Sequence, residues 1–169
     1  MLVVDLDGTL VDTRHIRIRM ALGKKVHVAS ETLHDPRPIS TALNMVDVAH
    51  EAGKHVTVLT ARHSDDRAKT VQLLHDLGVA YDTLLMQPSS GPTRLDLVWK
   101  REAAATLLRN RAPDTLLAVD DSPYIVDMWE QLHVPVIQIP GWDFLYEGPL
   151  EPELPEDTLC LIHQFLTRR

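Results

Sequence analysis

Five short runs of aliphatic and β-branched residues recur along the chain, and helical spacing fills most of what lies between them. Met1–Leu6, His55–Thr60, Tyr81–Met86, Thr115–Asp120 and Val134–Ile139 read as strands. Between them, Ala42, Met45, Val46 and Ala49 form an apolar stripe in a helix over 39–52, which Gly53 closes. Ser64 reads as the N-cap of a helix running to Leu77, with Gly78 after it. Asp96–Arg109, Ser122–Leu132 (with Pro123 in its first turn) and Glu156–Leu166 complete the helices. This alternation predicts an α/β fold in which a parallel sheet carries helices on both faces. In such sheets, ligands bind beyond the carboxyl ends of the strands.

The chain of 169 residues is expected to form a single domain, 1–169, with no repeat or linker; residues 149–155 read as an extended surface connection. A hydrophobic fraction of 44% with 24% charged residues excludes disordered, collagen-like and coiled-coil readings. Cys160 is the only cysteine, which rules out an intrachain disulfide and a Cys-built zinc site and fits a reducing compartment. No run is long and apolar enough for a membrane span, and Met1–Val4 leads straight into Asp5 and Asp7 rather than a signal sequence. The expected location is the cytoplasm. A net charge of −7 argues against general coating of nucleic acid. Its distribution is uneven, however. Arg14, Arg17, Arg19, Lys24 and Lys25 share an acid-free stretch, 13–30, whereas 143–157 holds acids and no Lys or Arg.

The polar residues gather at the ends of the strands. Asp5 and Asp7 end the first, Thr60 the second, and Asp120 with Asp121 the fourth; Lys100 lies on the helix after the third. Carboxylates crowded at one sheet edge repel unless a cation or proton intervenes. A hard divalent cation relieves this, and Mg²⁺ suits a site of few carboxylates whose shell is completed by water and phosphate. Gly8 permits a sharp turn, and Thr9 can hold the loop through a local hydrogen bond. Phosphate monoester hydrolysis needs such a set: a carboxylate nucleophile divides the reaction in two, and a second carboxyl protonates the leaving oxygen and then activates water. Thr60, backbone amides and Lys100 would hold the transferring oxygens.

These residues resemble the four motifs of the haloacid dehalogenase superfamily. They are Asp5-Leu-Asp7-Gly8-Thr9-Leu-Val-Asp12-Thr, Val58-Leu-Thr60-Ala-Arg62, a motif centred on Lys100, and Asp120-Asp121. The resemblance implies the three-layer Rossmann-like fold of that superfamily, with Asp5 as nucleophile and Asp7 as general acid/base. It implies Mg²⁺ held by Asp5, the main-chain carbonyl of Asp7, and the acids Asp120 and Asp121, with Asp121 ahead of Asp120 as the direct ligand. Ile125 stands where many members carry a further acid, and Asp127 is a substitute candidate.

A narrower resemblance is to the 3′-phosphatase domain of bacteriophage-type polynucleotide kinase/phosphatases. It rests on Leu85-Met-Gln87, Gly91-Pro-Thr93-Arg94-Leu-Asp96-Leu-Val-Trp-Lys100, Val126-Asp-Met-Trp129 and Gly141-Trp-Asp-Phe144. It implies a phosphate contact for Arg62 and a site role for Asp96. No GxxxxGK[ST] loop is present, so 5′-kinase activity is not expected of this chain; a separate kinase or ligase partner is left open.

Only residues 13–38 remain for a flap, too few for an independently folded cap, so a site open to a bulky polynucleotide end is expected. Arg14 and Arg17 are candidates for the strand backbone, and Ser89, Ser90 and Arg94 for the third strand–helix loop. Trp142 is assigned to packing under the C-terminal segment ahead of base stacking, and His63 to the surface ahead of the site mouth. The nucleic-acid 3′-phosphate end is the expected substrate. A small-molecule or nucleotide phosphatase of the same superfamily, and a phosphate-binding subunit without catalysis, are the alternatives.

Overall fold

The structure, a computed structural model, describes residues 1–89, 95–140, 142 and 155–168. Among these residues, five strands form one sheet: β1 (Leu2–Val4), β2 (Val56–His63), β3 (Thr83–Gln87), β4 (Leu117–Asp120) and β5 (Val136–Gln138). The order is β3-β2-β1-β4-β5 and every pairing is parallel. β1 is therefore central, with Val3 in register with Thr57 on one side and Ala118 on the other.

Among the described residues, seven helices accompany the sheet: α1 (Arg14–Ala21), α2 (Val28–His34), α3 (Ser40–Glu51), α4 (Arg67–Asp76), α5 (Asp96–Leu108), α6 (Pro123–Gln131) and α7 (Glu156–Thr167). Successive strand residues point to opposite faces, and the core divides accordingly. Leu2 and Val4 join Ala42 and Val46 of α3, Leu73 and Leu74 of α4 and Phe165 of α7. Val3 faces the other way, into Ala103 and Ala104 of α5 and Met128 and Trp129 of α6. This is the α/β three-layer arrangement anticipated from the alternation. No helix among the described residues is long and apolar enough to cross a membrane.

Two local expectations are corrected. β2 does not stop at Thr60 but runs to His63, with an irregularity in its pairing to β3 after Thr60. The Arg62 amide donates to Thr60 Oγ1 at 3.2 Å, and the Trp99 indole donates to the Thr60 carbonyl at 2.9 Å; these side-chain bonds take over from the regular ladder. Ser64 does not cap α4. A 3-10 turn over Ser64–Asp66 precedes that helix, and Ser64 Oγ instead lies 2.9 Å from Ser89 Oγ, tying β2's exit to the loop after β3. The flap contains α1 and α2, neither of them more than eight residues long.

Candidate active site

The carboxyl ends of β1, β2 and β4 and the buried face of α5 meet at one place. Asp5 follows β1 directly; its amide still bonds the Val119 carbonyl at 3.0 Å, which pins the side chain beside β4. The next turn reverses the chain at Gly8, whose φ of +100° lies in the range that side chains rarely adopt. Leu6 and Leu10 are buried on either side of this turn, so the loop is anchored by apolar contacts while its polar groups face the site. Thr9 Oγ1, fully buried, donates to Asp5 Oδ2 at 3.3 Å.

Lys100 reaches this point from the second turn of α5. Its Nζ lies 2.7 Å from Asp5 Oδ1 and 2.7 Å from Asp120 Oδ2, and all three side chains are buried. Burial opposes the ammonium, yet Asp5 and Asp120 outweigh it and hold the Lys100 pKa above its ordinary value. Burial pushes the Asp5 carboxyl well up; Lys100 opposes this, while Asp120 and Asp121 add to it. Asp121 is likewise raised by burial, from 3.8 to about 6, against the pull of Arg17. These three acids thus carry stored repulsion that a bound cation would relieve.

The donor set fits such a cation. Asp5, Asp120 and Asp121 can each offer one carboxylate oxygen within 4.8 Å of the others, all from buried residues. Gly8 forms the floor of this cradle: a Cβ at that position would stand 2.1 Å from Asp121 Oδ2. The oxygens are hard ligands of the kind Mg²⁺ takes. Asp127 lies on the exposed face of α6, away from the cluster, and Ile125 is buried against the cavity.

Asp7 stands beside the cluster rather than in it. Its carboxylate receives Arg62 Nε at 2.7 Å and Nη2 at 2.6 Å. Arg62 also donates to Thr32 Oγ1 of α2 at 2.6 Å and to Thr70 Oγ1 of α4 at 3.4 Å. Its guanidinium is therefore engaged by the chain's own groups, where the resemblance implied a phosphate contact. Thr32 and Thr70 are among the residues that sequence reasoning missed; both are buried threonines on helices outside the motifs, and no spacing signals them.

The remaining candidates divide. Thr60 is buried at the site's edge and Asp96 lines the cavity at the start of α5. Arg14 turns back onto Asp12, with Nε 3.1 Å from Oδ1 and Nη2 3.1 Å from Oδ2. Arg17 points inward, not toward a strand-binding face: Nη2 donates to Asp121 Oδ2 at 2.8 Å and to the Asp7 carbonyl at 3.0 Å. Arg94 and Ser90 lie outside the described residues.

A cavity of about 540 Å³ opens above these groups. The flap supplies one wall through Ile16, Met20, Val26 and Val28, so the mouth is narrower and more apolar than an uncovered sheet edge. Opposite, Tyr124 and Trp142 meet edge to face, with ring centroids 6.2 Å apart. Trp142 is thus a cavity-lining, part-exposed ring, and the half-buried His63 lines the cavity as well; the segment 143–154, under which Trp142 was expected to pack, lies outside the described residues. Thr13 Oγ1, buried and without a hydrogen-bond partner among the described residues, belongs to the same lining, where a ligand oxygen could satisfy it.

A family model described as the polynucleotide kinase PNKP phosphatase domain matches residues 1–144. Among solved structures, a chain of a Pnkp1/Rnl/Hen1 complex is 26% identical, with a TM-score of 0.67 over 84% of this chain and 46% of that one. A chain of the Pnkp1/Rnl/Hen1 RNA repair complex is 25% identical, with a TM-score of 0.68 over 84% of this chain and 42% of that one. The present chain therefore spans less than half the length of either. A HAD-like phosphatase from Mesorhizobium loti shares the fold, with 18% identity and a TM-score of 0.63 over 99% of this chain and 87% of that one. No curated protein matches.

Proposed function

The chain belongs to the family of PNKP phosphatase domains within the haloacid dehalogenase superfamily, and on that footing we propose that it is a Mg²⁺-dependent phosphomonoesterase that removes 3′-phosphate from polynucleotide ends. The observation that carries this reading is the convergence of Asp5, Lys100 and Asp120, within 2.7 Å contacts, beside the Arg62-held Asp7 and below a single cavity.

In the first step an Asp5 carboxylate oxygen attacks phosphorus and the bond to the 3′-oxygen breaks, leaving an aspartyl-phosphate. Asp7 gives a proton to the departing oxygen, a role that requires it to be protonated when substrate is bound, with one of its oxygens released from Arg62. In the second step Asp7, now a carboxylate, takes a proton from water as that water attacks the same phosphorus; inorganic phosphate leaves and Asp5 is restored. Lys100 and Thr9 orient the two Asp5 oxygens, and Lys100 keeps one positive charge against the nucleophile throughout. Asp5, Asp121 and the Asp7 carbonyl would hold Mg²⁺, with Asp120 beside them. The ion, when bound, supplies charge that offsets repulsion between phosphate and carboxylate. Thr60 and Thr13 are the candidate phosphate contacts, and Asp96 lines the path to them.

The cavity supports a substrate whose terminal nucleoside enters between the flap and the Tyr124–Trp142 pair, with the strand continuing outward. Because the similar chains belong to repair assemblies that include Rnl and Hen1, a separate end-joining or kinase partner is part of the proposal. So is a cytoplasmic location, in line with one free, exposed cysteine.

One observation favours a second reading, a nucleotide phosphatase. Three of the five cations in 13–30 are spent internally: Arg14 on Asp12, Arg17 on Asp121 and Arg19 on Glu31. Less positive charge is then left for a strand. Phosphate release in Mg²⁺ from a 3′-phosphorylated oligonucleotide, its 5′-phosphorylated isomer and nucleoside 3′- and 5′-monophosphates separates the two, with Asp5→Asn as the control. Preference for the 3′-phosphorylated oligonucleotide is expected. Equal or faster release from mononucleotides selects the second reading, and release by Asp5→Asn at the parent rate removes Asp5 as nucleophile.

A further inference from the structure

Asp5, Asp7, Asp120 and Asp121 are each matched to a cation, but the cations are not equivalent. Lys100 of α5 and Arg62 of β2 are buried, serving Asp5, Asp120 and Asp7. Arg17, which serves Asp121, comes from the short flap helix α1 and keeps 22% of its side chain exposed. It is the one cation of the three that can withdraw without unpacking the core.

Its position is specific. Nη2 sits between Asp121 Oδ2, at 2.8 Å, and the main-chain carbonyl of Asp7, at 3.0 Å. A Cβ on Gly8 would lie 2.4 Å from this nitrogen and 2.1 Å from the Asp121 oxygen, so the space is open only because residue 8 has no side chain. The same two oxygens are those assigned above to the metal. An ion held by these oxygens would compete with Arg17 Nη2, which is already bonded to both. A guanidinium stays charged at any working pH, and so the competition cannot be relieved by deprotonation.

Arg17 also has contacts that do not depend on the acid. Nη1 donates to the Trp142 carbonyl at 3.2 Å, and the guanidinium carbon lies 4.6 Å from the centroid of the Trp142 ring. Both contacts lie on the cavity side, and both can persist when Nη2 leaves the acid.

We propose that Arg17 is an exchangeable counter-ion of the metal site: it neutralises Asp121 in the metal-free chain, competes with the divalent ion for Asp121 and the Asp7 carbonyl, and on displacement is retained by the Trp142 contacts it already makes, where its guanidinium faces the phosphate-binding cavity. The inference rests on metal use by this site but not on the identity of the substrate. The flap is thereby coupled to metal occupancy, since α1 is held to the sheet edge through Arg17 only while the ion is out. Linkage requires the effect to be mutual, so whatever draws Arg17 outward, a substrate phosphate included, tightens the metal.

The test is Mn²⁺ binding followed by electron paramagnetic resonance on metal-free protein without substrate, comparing the parent chain with Arg17→Met, Arg19→Met and Asp121→Asn. Arg17→Met keeps the apolar stem and is expected to bind Mn²⁺ about tenfold more tightly than the parent. Arg19→Met, whose partner is Glu31, should leave the affinity unchanged, and Asp121→Asn should lose the site. Metal-free Arg17→Met should also melt below the parent and recover when saturated with Mn²⁺. Equal or weaker Mn²⁺ binding by Arg17→Met, with Asp121→Asn deficient, overturns the exchange while leaving the metal reading intact. Absence of Mn²⁺ binding in all the proteins overturns both. Should Arg17→Met not fold, the indole N–H resonance of Trp142 in the parent decides: it must shift in step with Mg²⁺ saturation, and a resonance that stays put overturns the proposal.

Discussion

Arg62 grips Asp7 at two points, Nε to Oδ2 at 2.7 Å and Nη2 to Oδ1 at 2.6 Å, across 55 residues of sequence. The pair fixes the plane of the carboxylate assigned to proton transfer, and the guanidinium is itself fixed by Thr32 and Thr70. Arg62→Ala should lower kcat by about 10²-fold, because small misplacements of a reacting group carry costs of that size. Thr32→Val, which loosens the arginine without removing it, should fall between that variant and the parent. Steady-state kinetics on one substrate check both, and a Thr32→Val enzyme indistinguishable from the parent would show that α2 does not position Arg62.

Lys100 stands between two buried acids, 2.7 Å from each. Removing it leaves Asp5 and Asp120 facing one another without compensation, so Lys100→Met should destabilise the metal-free chain by about 3–5 kcal/mol. In an Asp120→Asn background the same change should cost less, since one of the uncompensated charges is gone. Urea unfolding measures the difference. An equal loss in both backgrounds would assign the effect to packing of the lysine stem.

The raised carboxyls give the metal-free chain a defined response to pH. Asp121 titrates from about 6 when folded against 3.8 ordinarily, because burial disfavours its charge. The folded chain therefore holds this proton to higher pH than the unfolded chain does. Stability from this group is greatest below 3.8, falls as pH rises through about 6, and is lowest above it. Asp5 is raised by burial too and acts in the same direction. Asp12 acts oppositely: burial is outweighed by its bonds from Arg14, its pKa is lowered, and it loses stability on acidification. Unfolding of the chelator-treated protein on both sides of that window, with and without Asp121→Asn, isolates the term. The variant should show a smaller decline with rising pH; an unchanged slope would contradict the assignment.

Gly8→Ala should damage the site rather than the core. Its φ of +100° is strained for any side chain, and the new methyl would stand 2.1 Å from Asp121 Oδ2. The backbone part alone is worth about 1–2 kcal/mol. The displaced Asp121 should weaken Mn²⁺ binding by at least about tenfold. Calorimetric melting and metal titration read the two effects separately.

Much of the fold was legible in the sequence, because hydrophobic periodicity is a local property. The runs at Leu2–Val4, Val56–Val58 and Leu117–Val119 mark strands in any context, and the stripe at Ala42, Val46 and Ala49 marks a helix. That Asp5 and Asp120 end such runs was enough to put them at one sheet edge. The strand ends themselves were less legible. β2 passes Thr60 only because Trp99 and the Arg62 amide bond to that residue, and neither partner is visible in the run itself.

By itself, then, the sequence determined the alternating architecture and which carboxylates, hydroxyls and cations lie along the carboxyl edge of the sheet, since chain direction and the 2.0 and 3.6 periods are carried by neighbouring residues. Tertiary structure alone decided the pairing of those groups. Arg17 is sequence-adjacent to other flap cations yet ends on Asp121, 104 residues away, and Arg62 ends on Asp7 and Thr32 rather than facing the cavity freely. Ion pairs of this kind depend on which loops the packed helices bring within about 3 Å. Low dielectric at a buried edge makes each such choice strong, and no local pattern encodes it.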